Sequence, residues 1–208
     1  MKKELLKLYA ITDRTWLEGR HLSSAVEQAI KGGATIVQLR EKNMNEDELI
    51  REALEVKKVC DKYSVPLIIN DNVEVAKKIN AAGVHIGQSD MEYEKARQIL
   101  GKDAIIGVTA KTLEQAGKAN ELGADYIGSG AVFGSTTKTD ALPMTMNMLN
   151  EICESVDIPV VAIGGINADN IIKLKGQKIA GVAVVSGIFR GNDIAANAER
   201  LLALVNQL

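Results

Sequence analysis

Thr112-Leu113-Glu114-Gln115, continuing through Glu121-Leu122-Gly123-Ala124-Asp125 into Tyr126-Ile127-Gly128-Ser129-Gly130, holds one full period of the chain's rhythm. Thr112 followed three residues later by Gln115 reads as a helix start, because a hydroxyl there accepts from a backbone amide left over at the helix N-terminus. Gly123 just past the helical stretch takes the left-handed conformation that ends a helix. Tyr126–Gly130 then reads as a short buried strand. The same punctuation recurs at Gly33-Ala34, Gly83-Val84 and Gly181-Val182, each ahead of a β-branched run. Gly32 after Lys31 and Gly83 after Ala81-Ala82 read as helix caps in the same way.

Working outward, eight such runs appear: Leu8–Thr12, Thr35–Arg40, Leu67–Asp71, Gly83–Gln88, Ile105–Ala110, Tyr126–Gly130, Val160–Gly164 and Val182–Ser186. They show almost no polar alternation, as expected of parallel strands covered on both faces. The segments between them carry helical spacing. In Glu46–Tyr63, Leu49, Ile50, Ala53, Leu54, Val56 and Val59 fall on one side, and Asn45 with Glu48 forms a start signal. Eight strands alternating with eight helices predict an α/β fold, a closed (β/α)₈ TIM barrel, as a single compact domain over residues 1–208. The competing doubly wound sheet wants a glycine-rich dinucleotide turn after strand one, where this chain has Asp13-Arg14.

Composition narrows the function. With 25 basic and 27 acidic residues, the 208-residue chain carries a formal charge of −2, unlike a chain that coats nucleic acid or an anionic membrane. Aromatic residues make up only 3%, which leaves little for stacking bases and predicts a core of Ile, Val, Leu and Ala. Cys60 and Cys153 are far apart and read as packing residues. No apolar run reads as a signal peptide or a membrane span, so a cytoplasmic enzyme is expected.

The chemistry-bearing residues gather at the C-terminal ends of the strands, which share one mouth in a barrel. Strand two ends Gln38-Leu39-Arg40-Glu41-Lys42, whose alternation puts three long polar side chains on one face. Two are cations suited to a diphosphate, with Glu41 available as an ion partner. Strand three ends Asn70-Asp71 and strand four ends His85-Ile86-Gly87-Gln88-Ser89-Asp90. Asp71 and Asp90 suit Mg²⁺ held through carboxylates and substrate oxygens, and each could alternatively cap the following helix. His85 reads as a packed, hydrogen-bonded residue, and His21 as a helix opener. The long loop Gly130–Leu142 carries Ser135-Thr136-Thr137-Lys138, a candidate phosphate clamp on a lid. Gly164-Gly165 and Ser186-Gly187 match the backbone phosphate site that barrels often build after their last two strands. No nucleophile–base pair stands out, which favours transfer driven by loss of a metal-bound pyrophosphate.

Taken in order, the phrases Tyr9-Ala10-Ile11-Thr12-Asp13, Gln38 to Lys42, Ile69-Asn70-Asp71, Gly83 to Asp90, Gly123 to Gly128, Thr137-Lys138, Val161 to Ile166 and Val184-Val185-Ser186 resemble the thiamine phosphate synthase family, also called thiamine-phosphate pyrophosphorylases. The resemblance runs from Leu8 to the last helix. It implies a barrel transferase that joins a hydroxymethylpyrimidine diphosphate to a hydroxyethylthiazole phosphate with Mg²⁺, giving thiamine phosphate and pyrophosphate. By this resemblance Gln38, Leu39, Arg40, Glu41, Lys42, Asn70, Thr109 and Lys138 would hold the pyrimidine diphosphate. Arg40, Lys42 and Lys138 would act in catalysis, and Asp71 and Asp90 would bind Mg²⁺. Ser135, Thr136, Thr137, Gly165, Val185 and Ser186 would hold the thiazole phosphate. The partners implied are these small molecules, with an assembly of identical chains left open.

The chain departs from the family at Thr109, Asn72 and Lys111, where Ser, Arg and His are frequent, and at Ala131 and Gly134, which replace prolines. The two lost prolines predict a more mobile loop. Two alternatives compete. A thiazole tautomerase of the same superfamily carries a His where this chain has Ala131, and has no use for the charged set. A non-catalytic phosphate-metabolite-binding barrel would be expected to lose that set.

Overall fold

In the computed structural model, which describes residues 2–134 and 143–208, eight parallel strands close into a barrel in sequence order. They are β1 (Leu8–Ile11), β2 (Ile36–Leu39), β3 (Leu67–Asn70), β4 (Gly83–Ile86), β5 (Ile105–Thr109), β6 (Tyr126–Gly130), β7 (Val160–Ile163) and β8 (Gly181–Val184). β1 pairs with both β2 and β8, so among the described strands no edge is left open. The α-helices are α1 (Leu22–Lys31), α2 (Glu46–Lys62), α3 (Val73–Lys78), α4 (Tyr93–Leu100), α5 (Leu113–Glu121), α6 (Met146–Ser155), α7 (Ser186–Phe189) and α8 (Ile194–Val205). The predicted strands are all present, each within a residue or two of its expected ends. No described helix is long and apolar enough to cross a membrane.

Strand alternation divides the core into two. Leu8, Ala10, Val37, Leu39, Leu67 and Ile69 face outward and pack beneath the helices. Tyr9, Ile11, Ile36, Ile68, Tyr126, Val161 and Ala183 fill the barrel interior. The interior is thus less aliphatic than composition suggested, because two of the chain's four tyrosines meet there. Gly107 makes room for one of them: a Cβ at that position would lie 2.0 Å from the Tyr126 Cζ.

Local signals explain the helix starts. Asn45 and Glu48 form a reciprocal capping box on α2, and Thr112 accepts from the Gln115 amide at the start of α5. Gly123 adopts positive φ as predicted, and after α1 it is Gly33 that does so, while Gly32 at the cap keeps φ −79°. Gly83 does not adopt it either: it is the first residue of β4, and the left-handed residue is Asn80. Gly83 is small for a different reason, since a Cβ there would sit 1.8 Å from the Ile105 carbonyl oxygen of the neighbouring strand.

The pattern of one helix per strand fails once. Between β7 and β8 the chain makes only a 3₁₀ turn, Ile171–Leu174. Its preceding loop is held by asparagine side chains instead. The Asn167 amide donates to the Asn170 side chain at 2.9 Å, and Asn170 donates to the Gly165 carbonyl at 2.8 Å. Such side-chain bonds compete with helical ones. Cys60 and Cys153 are both free and buried in α2 and α6, and burial pushes their thiols up to about 12 and about 11.

Candidate active site

The C-terminal ends of β2, β3 and β4 contribute charged and amide side chains to the barrel mouth. Arg40 follows β2, and its backbone amide donates to the Thr12 hydroxyl at 3.0 Å, tying the ends of β1 and β2 together. Its guanidinium lies 3.8 Å from Asp13, with the Arg40 side chain mostly buried. Lys42 is exposed. Glu41 turns away from both: its Oε2 accepts from Arg14 Nε at 2.8 Å, and Arg14 also binds Glu52. The other oxygen, Oε1, is buried with no hydrogen-bond partner among the described residues. Burial outweighs the Arg14 charge and raises the Glu41 carboxyl above its ordinary range. The ion partner of Glu41 is therefore Arg14, not a cation of its own motif.

Asp71 and Asp90 line one open cleft of about 370 Å³ together with Asn72, Val73, Glu74 and Met91. Neither caps a helix. Asn72 caps α3 by accepting from the Val75 amide, and Glu92, just before α4, makes no side-chain cap. Asp71 sits at φ 63°, and its Oδ2 accepts from the Asn70 side-chain amide at 2.6 Å. Asp90 Oδ2 accepts from the Gly87 amide at 2.6 Å and closes that turn. Among the described residues no cluster of three or more His, Cys, Asp or Glu side chains converges, so Asp71, Asp90 and Glu74 line the cleft without forming a cage.

Below the mouth runs a polar chain that the sequence reading missed. Gln38 Nε2 donates to the Tyr9 hydroxyl at 2.9 Å, and that hydroxyl lies 2.8 Å from the Tyr126 hydroxyl. His85 Nδ1 lies 3.0 Å from the Tyr126 hydroxyl, and His85 Nε2 lies 3.0 Å from Thr109 Oγ1. His85 thus lies inside the barrel, hydrogen-bonded as expected. A Cβ at Gly128 would come within 3.1 Å of its ring. Burial raises the hydroxyl pKa of Tyr9 and Tyr126, so both stay protonated.

The far side of the mouth is made of backbone. Gly164 and Gly165 have φ of 106° and 64°, and Cβ atoms there would lie 2.4 Å from the Ala131 Cβ and 2.5 Å from the Phe133 oxygen. The loop after β6 is pinned to this turn: the Val132 and Phe133 amides donate to the Ile163 and Gly164 carbonyls, each at 3.0 Å. Ala131, beside these bonds, accepts from the Met144 amide at 2.8 Å. Gly187 approaches the Ile166 carbonyl, where a Cβ would be 2.7 Å away, so the turns after β7 and β8 meet beside Val185 and Ser186. Ser135, Thr136, Thr137 and Lys138 lie outside the described residues.

The family described as Thiamine monophosphate synthase matches residues 8–188. The thiamine-phosphate synthase of Ruminiclostridium cellulolyticum is 49% identical over 197 residues, covering 95% of this chain and 94% of that protein. That of Clostridium acetobutylicum is 47% identical over 207 residues, covering 100% of this chain and 98% of that protein. A solved thiamine phosphate pyrophosphorylase from Pyrococcus furiosus superimposes with a TM-score of 0.90 at 38% identity, covering 98% of this chain and 97% of its own. A barrel with a carboxylate-lined cleft at one side of its mouth and glycine turns at the other, matched along nearly its whole length, belongs to the thiamine monophosphate synthase family, whose members are transferases of thiamine biosynthesis.

Proposed function

We propose that this chain joins a hydroxymethylpyrimidine diphosphate to a hydroxyethylthiazole phosphate, releasing pyrophosphate. The observation that carries this reading is the division of one barrel mouth: Arg40, Asp71 and Asp90 on the β2–β4 side, and the glycine turns Gly164-Gly165 and Gly187 on the β7–β8 side. A diphosphate needs side-chain cations and a metal, whereas a monophosphate can be held by backbone amides.

The donor set fits Mg²⁺. Asp71 and Asp90 are hard oxygen donors on one open cleft, and two carboxylates leave room for waters and phosphate oxygens. When bound there, Mg²⁺ supplies charge neutralisation on the diphosphate oxygens. Arg40 and Lys42, with Lys138 from the loop, stabilise the charge that grows on the departing pyrophosphate. Asn70 holds the Asp71 carboxylate in place through its 2.6 Å bond. Gln38, Asn70 and Thr109 frame the pyrimidine end; the Leu39 side chain faces outward beneath the helices and so has no side-chain role in the mouth, and Glu41 acts through Arg14 and the shape of the β2 exit. Gly165, Val185 and Ser186, with Ser135, Thr136 and Thr137, hold the thiazole phosphate so that the ring nitrogen sits close to the pyrimidine methylene carbon. The carbon–oxygen bond to the diphosphate breaks, the electron pair leaves with pyrophosphate, and the thiazole nitrogen forms the new bond. That nitrogen carries no proton, so no general base is required.

We place the reaction in the cytoplasm; the free thiols of Cys60 and Cys153 support that reading. The test is pyrophosphate release by the purified protein with both substrates, with each omitted, and with the metal chelated. Release that needs both substrates and Mg²⁺ supports the reading. Release from the diphosphate alone, or none at all, overturns it.

A further inference from the structure

The polar chain in the barrel interior has a direction. Gln38 enters it through an amide N–H, which donates and cannot accept. The Tyr9 hydroxyl, having accepted from Gln38, has one proton to place, and the Tyr126 hydroxyl 2.8 Å away takes it. Tyr126 in turn directs its proton to His85 Nδ1 at 3.0 Å. A ring nitrogen that accepts is unprotonated, so the neutral imidazole carries its hydrogen on Nε2. That hydrogen points to Thr109 Oγ1 at 3.0 Å. Thr109 is the last residue of β5, at the C-terminal end of the barrel, and its hydroxyl is left with its own proton for the mouth.

We propose that Gln38, Tyr9, Tyr126 and His85 form a one-way hydrogen-bond relay that fixes His85 as the Nε2–H tautomer and makes the Thr109 hydroxyl a donor toward the substrate. His85 is then a positioning residue, and Thr109 is the group that reads the ligand. The ligand feature it selects is an acceptor lone pair, such as an unprotonated nitrogen of an aromatic ring, against a C–H or N–H at the same place. The second half of this statement rests on the proposed function. The first does not.

The architecture supports a built relay. Tyr9, Tyr126 and Gln38 are at most 3% exposed, so water does not compete for their bonds. Gly107 and Gly128 leave the space that Tyr126 and His85 occupy, on the two strands beside and beyond β4. Tyr9 and Tyr126 also meet edge to face, with ring centroids 5.8 Å apart, which holds the two hydroxyls together.

The chain has only two histidines, which makes the test direct. His21→Gln leaves His85 as the sole imidazole, and its ring nitrogens are read by ¹⁵N NMR in the ligand-free protein at neutral pH. The unprotonated nitrogen resonates far downfield of the protonated one. An unprotonated Nδ1 with a protonated Nε2 is expected. The Nδ1–H tautomer, or protons on both nitrogens, overturns the relay. Gln38→Glu places an acceptor-only carboxylate at the entry, so every bond reverses and His85 is expected to switch to Nδ1–H. An unchanged tautomer in that folded variant also overturns it.

The ligand half is read by kinetics with a pyrimidine diphosphate and an analogue in which one ring nitrogen is replaced by C–H. Wild type is expected to prefer the parent by about tenfold in kcat/KM, the equivalent of one neutral hydrogen bond. Thr109→Ser keeps that ratio and Thr109→Val loses it. Equal preference in wild type and Thr109→Val, tried with each ring nitrogen in turn, overturns the donor role. It leaves the tautomer result standing, while absence of any turnover is a failure of the proposed function and not of the relay.

Discussion

The two sides of the barrel mouth are built on different principles. From β2 to β4 the surface is made of side chains: Arg40 beside Asp13, Asp71 held by Asn70, Asp90 closing the Gly87 turn. From β6 to β8 it is made of backbone: Gly164, Gly165 and Gly187 are pressed against neighbouring carbonyls and the Ala131 methyl. On the first side a residue can be truncated with little effect on folding, because each side chain has few partners: Arg40 meets Asp13 only at 3.8 Å. On the second side the fold and the site are one object. A methyl group added there must push backbone aside.

This contrast can be broken most sharply at Arg40. Arg40→Ala is expected to lower kcat by about a hundredfold, as removal of one preorganised donor does, with the urea midpoint nearly unchanged. A large fall in stability would place Arg40 in the structure and remove the distinction. Gly164→Ala is the converse experiment. Its φ of 106° and a Cβ contact of 2.4 Å to Ala131 predict a loss of about 2 kcal/mol in urea unfolding. The KM for the thiazole phosphate should rise more than that for the pyrimidine diphosphate. Equal stability in the variant would mean the turn can relax, and the backbone side would be softer than argued.

Asp71→Asn and Asp90→Asn sharpen the side-chain half further. Each is expected to raise the Mg²⁺ concentration for half-maximal rate by roughly tenfold, since one of the two carboxylates assigned to the metal becomes neutral. An unchanged Mg²⁺ dependence in both would remove the assigned role.

The smallest effect lies away from the mouth. Lys62, with Tyr63 and Lys31, holds the Glu27 carboxyl down at about 2, joining α1 to the end of α2. Because the folded value lies below the unfolded one, this stabilisation is present above the ordinary carboxylate range. It is lost as pH falls from about 4.5 through about 2. Glu27→Gln should therefore flatten the acid limb of the stability profile slightly and leave neutral turnover untouched.

Much of the barrel was readable in advance, for reasons specific to each element. The eight strands were visible because both faces of a parallel strand are covered, so runs such as Leu67-Ile68-Ile69 are apolar throughout. The box at Asn45 and Glu48 was visible because both halves lie three residues apart. The 3₁₀ crossover after β7 was not, because it depends on Asn167 and Asn170 choosing side-chain bonds over a helix. The smallness of Gly83 was seen but misread: a helix cap and a strand crossing demand the same residue for different reasons.

Sequence alone determined the order of elements, the closure of the barrel and the strand ends at which charge and glycine gather, because periodicity, caps and turn residues act within a few positions. Tertiary structure alone decided which groups meet. Tyr9 reaches Tyr126 across 117 residues, and Arg14 claims Glu41 across 27. The first pairing follows from strands that only the closed barrel sets face to face and from the space left by Gly107, the second from the register of β1 on β2, and no local pattern encodes a distance between such segments.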